Sequence, residues 1–126
     1  MDPQRARSRV QAFNYAFAGW WHVLRTQRNA WIHAFASLVV ISLAFWLDLG
    51  RQEFAVLLLA IGLVWLAEFI NTALEAVVDL ASPAAHPLAR VGKDVGAAAV
   101  LIAALTSALV GLLILGPPLL ARVAGE

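Results

Sequence analysis

Cysteine is absent from this 126-residue chain, and charged residues are scarce. Without cysteine the chain forms neither a disulfide framework nor a thiolate metal site. Charged residues make up 13% of the chain, which is about half the share of an ordinary soluble domain. So few charges cannot cover a soluble surface, and the 62% hydrophobic content indicates a small integral membrane protein. A net charge of +1 gives no reason to expect a nucleic-acid partner.

The motifs by which soluble enzymes bind ATP are also missing. The "GKD" at 92–94 does not complete a G-x-x-x-x-G-K-[ST] phosphate loop. There is no glycine-rich kinase loop and no H-R-D motif. The histidines have no zinc-binding spacing. If the chain handles ATP, it does so without the usual soluble folds.

Three apolar segments are long enough to cross a bilayer, which requires about 20 residues of helix. We expect transmembrane helices over about 30–48, 54–80 and 95–116, the last ending near Gly116 and two prolines. Between them, residues 48–53 predict a polar turn, and residues 81–94, which hold two prolines, predict a loop. The predicted fold class is therefore all-α and integral to the membrane.

The first 29 residues form an arm of different character. Apolar and aromatic side chains recur in it at helical spacing. This pattern fits an ordinary amphipathic core helix or a helix that lies in the membrane interface. We favour the interfacial helix, because aromatic rings suit the headgroup level and arginines suit anionic lipids.

Positive charges predict the orientation, since they concentrate on the cytoplasmic side. The arm carries five arginines, and the segment 81–94 carries Arg90 and Lys93. The 48–53 turn and the C-terminal tail carry one arginine each. We therefore expect the arm and the 81–94 segment to face the cytoplasm.

Four polar residues lie inside the second predicted span: Glu68, Asn71, Glu75 and Asp79. A charged side chain in hydrocarbon costs about 2.5–3.5 kcal/mol even on lenient scales. At about 100° per residue, the four fall within an arc of roughly 80° on one helix face. Counted from the outer end, Glu68 lies roughly 21 Å deep, past the midplane, and the other carboxylates approach the cytoplasmic surface.

This polar stripe lies near Lys93 and Asp94, which open the third helix. Carboxylates, an amide and a lysine at a helix N-terminus can bind a metal-complexed polyphosphate, since Mg²⁺ typically takes one or two protein carboxylates plus phosphate oxygens. Glu68 suits a base that acts on a hydroxyl arriving from the bilayer. Two other interpretations stay open at this point. Glu75 and Asp79 can be solvated helix-end residues with Lys93 as a snorkelling anchor, or the stripe can be the ion path of a channel or transporter subunit.

The third span carries small residues at a spacing that lets helices approach closely. These residues are Gly92, Gly96, Ala99, Ala103, Ser107 and Gly111. Because three short spans make few internal contacts, we expect a homo-oligomer with sites at the subunit junctions.

The segment AEFINTALEAVVDL, followed by SPAAHPLARVGKDVGAAAVL, closely resembles the small prokaryotic integral-membrane diacylglycerol kinase family. The pattern E-x-x-N-[ST]-A-[IL]-E-A-x-V-D with a later K-D carries the resemblance. The pieces DLASP, HPLA and RTQRNAWIH are more similar to the undecaprenol kinase branch of that family. The resemblance covers roughly residues 10–115.

The resemblance implies a homotrimer in the inner (plasma) membrane, with an N-terminal interfacial helix and three transmembrane helices per subunit. It implies Mg²⁺-dependent transfer of the ATP γ-phosphate to a lipid hydroxyl, of undecaprenol or diacylglycerol, at composite sites on the cytoplasmic side. Glu68 matches the general base and Glu75 a metal ligand. The nucleotide-site positions are matched by Arg9, Tyr15, Asn71, Glu75, Asp79, His86, Lys93 and Asp94.

One position departs from the family pattern. The family usually has a second metal-ligating glutamate where this chain has Gln27, in "TQRN". An amide oxygen can coordinate Mg²⁺ but carries no charge, so we expect weaker metal affinity or a metal held more by Glu75 and phosphates. The kinase is favoured over the ion path, because Phe54–Ala67 offers nothing polar to extend a path outward.

Overall fold

The computed structural model describes residues 9–125, and they form four α-helices. The helices are α1 (Arg9–Thr26), α2 (Arg28–Trp46), α3 (Arg51–Ala81) and α4 (Pro87–Ala124). The helices α2, α3 and α4 are each long and apolar enough to cross a membrane. The prediction of an all-helical chain with three such helices is therefore confirmed.

A single residue, Gln27, separates α1 from α2. Its backbone is extended, with φ −104° and ψ 111°, while its N–H still donates to the carbonyl oxygen of Val23 at 2.8 Å. The indole of Trp31 donates to the carbonyl oxygen of Leu24 at 2.9 Å. Because the last carbonyls of a helix lack partners within it, this bond ties the end of α1 to the start of α2.

The turn between α2 and α3 is shorter than the predicted 48–53 segment. Asp48 takes the left-handed backbone conformation, with φ 53°, and the N–H of Leu49 donates to the carbonyl oxygen of Ala44 at 3.1 Å. The α3 helix then begins at Arg51, because the Glu53 carboxylate accepts from the N–H of Gly50 at 2.9 Å and so caps the helix start.

The helix α4 extends beyond the predicted third span at both ends, and the prediction of a loop over residues 87–94 is wrong. Pro87 begins the helix instead of preventing it, since proline is well suited to the first helical position, where its missing N–H needs no partner. The His86 side chain caps this end by accepting from the N–H of Leu88 at 3.2 Å. At the other end α4 continues through Pro117 and Pro118.

The helices α3 and α4 make the most extensive contact among the described helices, and they approach closely at Gly96. A Cβ placed on Gly96 would overlap Asn71 Oδ1 and would lie 3.1 Å from Leu74 Cδ2. Farther along the pair, Ser107 Oγ donates to the carbonyl oxygen of Ala60 at 2.8 Å. The small residues of α4 thus permit close approach at Gly96, whereas Gly111 faces a cavity.

Most apolar side chains of the three long helices point away from the chain's own interior. In no membrane-length window is more than 17% of residues buried. The main buried cluster is small and contains Ala44, Leu57 and Leu115. Outward apolar faces of this extent suit contact with lipid, as expected of a membrane protein.

We expect Gly96→Ala to lower the midpoint of thermal unfolding in detergent, because the added methyl group overpacks the contact with Asn71. Overpacking of this kind typically costs about 1–3 kcal/mol. Gly62→Ala is the matched control, since a Cβ there meets nothing within 4 Å and alanine favours a helix by roughly 1 kcal/mol over glycine. Equal midpoints for the two variants would contradict the close α3–α4 contact.

Candidate functional site

The polar stripe on α3 is graded in burial from one end to the other. Glu68 is 2% exposed and Asn71 is 7% exposed. Glu75 is half-buried, and the Asp79 side chain is 65% exposed. The stripe therefore joins a dry end at Glu68 to a wet end at Asp79, and a site built along it can hold groups of different polarity.

The middle of the stripe brings together the two residues proposed from sequence as metal ligands. Glu75 accepts from the side-chain amide of Gln27 at 3.2 Å and from that of Asn71, also at 3.2 Å. Gln27 reaches Glu75 because it occupies the extended joint between α1 and α2. Half a turn of its amide would present the oxygen in place of the nitrogen.

One carboxylate and one amide oxygen form a donor set that fits Mg²⁺, which commonly takes few protein ligands and completes its shell with phosphate oxygens and water. Within residues 9–125 no group of three or more histidine or acidic side chains could hold a metal by itself. A metal bound at Glu75 would therefore depend on a polyphosphate for the rest of its ligands.

The wet end of the stripe opens into a depression of about 1060 Å³ between α3, α4 and the connecting segment 82–86. Lys93 forms an ion pair with Asp79 across the two helices. On α4, Arg90 Nε lies 3.9 Å from Asp94 Oδ2. Four of the candidate nucleotide residues line this one depression, namely Asp79, His86, Lys93 and Asp94.

Two candidate nucleotide residues lie elsewhere. Arg9 and Tyr15 are exposed residues of α1, and neither is among the described residues that line the depression.

At the dry end, Glu68 faces a histidine that sequence reasoning missed. His33 Nε2 lies 3.6 Å from Glu68 Oε2, and the His33 side chain is 14% exposed. The spacing of the histidines in the sequence does not single out His33. His33 is, however, the only ionisable residue between Arg28 and Asp48. A carboxylate buried near this segment would need a polar partner, and this is the signal in the sequence that identifies His33.

Hydrogen bonds and aromatic rings hold this region in place. The indole of Trp65 donates to Ser37 Oγ at 3.1 Å, and Ser37 Oγ donates to the carbonyl oxygen of His33 at 2.6 Å. Trp20 of α1 packs against Trp65 and Phe69 of α3, with ring centroids 4.8 and 4.6 Å apart. The α1 helix therefore covers α3 beside Glu68.

Two apolar cavities flank the α3–α4 pair. The first, of about 260 Å³, lies between α2, α3 and α4 and has His33 and Val64 in its wall. The second, of about 380 Å³, has Asn71 and Gly96 in its wall. Polar side chains are few in both, so each suits an apolar chain better than a soluble substrate.

Comparison with known proteins shows which family the chain resembles. Residues 14–115 match the family model described as prokaryotic diacylglycerol kinase. The chain is 45% identical over 118 residues to a diacylglycerol kinase from Synechocystis sp., covering 93% of this chain and 67% of that protein. It is 39% identical over 123 residues to the undecaprenol kinase of Bacillus subtilis, covering 94% and 100%. It is also 37% identical over 101 residues to the diacylglycerol kinase of Escherichia coli, covering 75% and 77%.

Proposed function

The chain belongs to the prokaryotic diacylglycerol kinase family and is a lipid kinase, and on this premise we propose that the α3 stripe is its active site. The kinase transfers the γ-phosphate of ATP to the hydroxyl of a membrane alcohol. The observation that supports this site best is the graded burial from Glu68 to Asp79. A lipid hydroxyl needs the dry end, and a charged nucleotide needs the wet end.

Glu68 serves as the general base in this proposal. Its carboxylate takes the hydroxyl proton as the alcohol oxygen attacks the γ-phosphorus. The bond from that phosphorus to the bridging oxygen breaks, and its electron pair leaves with ADP. Positioning and electrostatic stabilisation carry most of the catalysis in such transfers.

Glu75, with Gln27 beside it, would hold Mg²⁺. The ion would supply charge neutralisation for the phosphates when bound. Asn71 lies between this position and Glu68 along α3, and its amide already donates to Glu75 at 3.2 Å. Asn71 would thus fix the orientation of the Glu75 carboxylate.

The depression beside the stripe would bind the nucleotide. Lys93, now paired with Asp79, would turn towards the phosphates, and a lysine is well suited to bind them as a point charge. His86 and Asp94 line the same depression. This proposal assigns Asp79, His86, Lys93 and Asp94 to nucleotide binding.

The assembly would be a homotrimer with composite sites. The support is twofold: most residues of the three membrane-length helices are not buried within the single chain, and Arg9 and Tyr15 do not line the depression of their own chain. A neighbouring subunit would bring these two residues to the nucleotide. This arrangement would make isolated subunits inactive.

In the membrane, α1 would lie in the interface on the cytoplasmic side. Phe13 and Phe17 are each 69% exposed, and Arg25 lies in the last turn of the helix. Exposed aromatics beside arginines suit anionic headgroups. The nucleotide depression would then open towards the cytoplasm, on the cytoplasmic side of the inner (plasma) membrane.

The acceptor would be undecaprenol or diacylglycerol, and we favour undecaprenol. The relative named undecaprenol kinase matches over its whole length, and the sequence pieces noted above are typical of that branch. The relative named diacylglycerol kinase from Synechocystis is more identical but is covered over 67% of its length. Purified protein in mixed micelles with labelled ATP and either alcohol would show the choice directly, and labelled phosphate in neither lipid would contradict the proposed function.

We expect Glu68→Gln to lower kcat for lipid phosphorylation by about 10²–10⁴-fold, the usual contribution of a general base. The variant should still fold, because glutamine has nearly the same shape. Glu53→Gln is the matched control, since Glu53 lies at the far end of the same helix and caps it. Turnover of Glu68→Gln equal to that of the control would exclude Glu68 as the base.

We expect Gln27→Glu to lower the Mg²⁺ concentration for half-maximal activity at least about fivefold. Opposite unit charges 4 Å apart gain about 1 kcal/mol even in bulk water, which corresponds to about that factor. Without Mg²⁺ the new carboxylate lies against Glu75, so the unfolding midpoint should fall and Mg²⁺ should restore it.

The control for Gln27→Glu is Gln52→Glu, which adds the same charge at an exposed position at the start of α3. Its Mg²⁺ titration should match that of the wild type. If Gln27→Glu also matches the wild type in both activity and unfolding, Gln27 does not lie at the metal.

A further inference from the structure

We propose that His33 and Glu68 together form the binding site for the acceptor hydroxyl, whose oxygen atom lies beside the pair within hydrogen-bond distance of both His33 Nε2 and Glu68 Oε2. This inference rests on the proposed function and assigns a second residue to the acceptor side of the same site. The acceptor alcohol would be bound by His33 and deprotonated by Glu68.

His33 Nε2 and Glu68 Oε2 lie 3.6 Å apart. This spacing is too long for a direct hydrogen bond. It is short enough for a single oxygen atom to lie within hydrogen-bond distance of both, as a bridging water does between polar groups. A hydroxyl group has the donor and the acceptor that such a bridge requires.

His33 Nε2 is buried and has no hydrogen-bond partner among residues 9–125. Buried polar atoms nearly always have a partner, and an exception needs an explanation. Leaving such an atom unpaired costs about 1–3 kcal/mol. A ligand hydroxyl that accepts from Nε2–H would supply the missing bond.

His33 lies in the wall of the 260 Å³ cavity, whereas Glu68 does not line this cavity. An alcohol whose apolar chain lies in this cavity therefore meets the imidazole before the carboxylate. The other polar side chains of the wall, Ser37 and Ser107, donate to backbone carbonyl oxygens. Of the described polar side chains in the wall, His33 is the one with a buried atom that has no hydrogen-bond partner.

The surroundings hold the imidazole in a defined place. Trp65 lies edge-on to His33, with ring centroids 6.3 Å apart, and Trp65 is fixed by its hydrogen bond to Ser37. Ser37 in turn donates to the carbonyl oxygen of His33. A binding residue held in this way loses little entropy when the acceptor arrives.

The chemical step balances without a further reactant. His33 Nε2–H donates to the hydroxyl oxygen, and the hydroxyl donates its own proton towards Glu68. When the new oxygen–phosphorus bond forms, that proton passes to Glu68, and ADP leaves with the electrons of the broken bond. His33 keeps its proton throughout, so its effect is to orient the nucleophile.

The test compares His33→Gln with His33→Asn and His33→Leu in the lipid phosphorylation assay. Glutamine can place an amide N–H near the position of Nε2, whereas the shorter asparagine cannot, and leucine has no donor. We expect His33→Leu and His33→Asn to lower kcat by about 100-fold, the size of effect that misplacing a reacting group produces. His33→Gln should stay within about tenfold of the wild type, and the KM for ATP should change in none of them.

Two controls separate binding of the hydroxyl from a structural role. His22→Leu removes an exposed histidine of α1 that does not line the cavity, and it should leave kcat unchanged. The double variant His33→Leu with Glu68→Gln should be no slower than Glu68→Gln alone, because residues that act as a unit are not additive.

Equal kcat loss in His33→Gln and His33→Asn at an unchanged unfolding midpoint would overturn the inference, as would full activity of His33→Leu. These results would leave the proposed function intact, since wild-type protein would still phosphorylate lipid. Wild-type protein that phosphorylates neither alcohol would overturn the proposed function, and this inference with it.

Discussion

The burial of the Glu68 carboxylate inside a membrane-length helix is the constraint on which the rest of this structure depends. A charged side chain at membrane depth costs about 2.5–3.5 kcal/mol even on lenient scales, and Glu68 is 2% exposed. The fold offsets this cost by placing His33 of α2 opposite the carboxylate, with His33 Nε2 3.6 Å from Glu68 Oε2. It also covers the region with Trp20 from α1, which packs on Trp65. Three helices thus converge on one side chain, and this buried position suits the base that the proposed function requires.

From this point polar side chains recur along the same face of α3 towards its exposed end. Asn71 bonds to Glu75, and Glu75 bonds to Gln27 at the joint of α1 and α2. The close approach of α4 at Gly96 holds Asn71 in the stripe and also brings Lys93 to Asp79. A single helix pair therefore connects the proposed site for a lipid hydroxyl with the proposed site for a nucleotide.

The sequence predicts the helices and the stripe well, because both follow from periodicity within one segment. It predicts much less about pairing between segments. His33 is the lone ionisable residue in an apolar run, and nothing in the order of residues places it opposite Glu68. The start of α4 at Pro87 was hidden by the usual association of proline with loops, although proline at the first helical position is favourable. The contact of Gln27 with Glu75 depends on the extended backbone of the single residue between two helices. Hydrophobic periodicity does not predict such a one-residue break.

The most direct test of the central claim is a crystal structure of the protein with Mn²⁺, as a stand-in for Mg²⁺, and a non-hydrolysable ATP analogue, with the metal located by its anomalous scattering. The account predicts a metal peak at about 2.1 Å from a carboxylate oxygen of Glu75. It also predicts a γ-phosphate on the side of that metal that faces Glu68. A metal bound only by exposed acidic residues such as Asp94 or Asp48, with the γ-phosphate directed away from Glu68, would contradict the account.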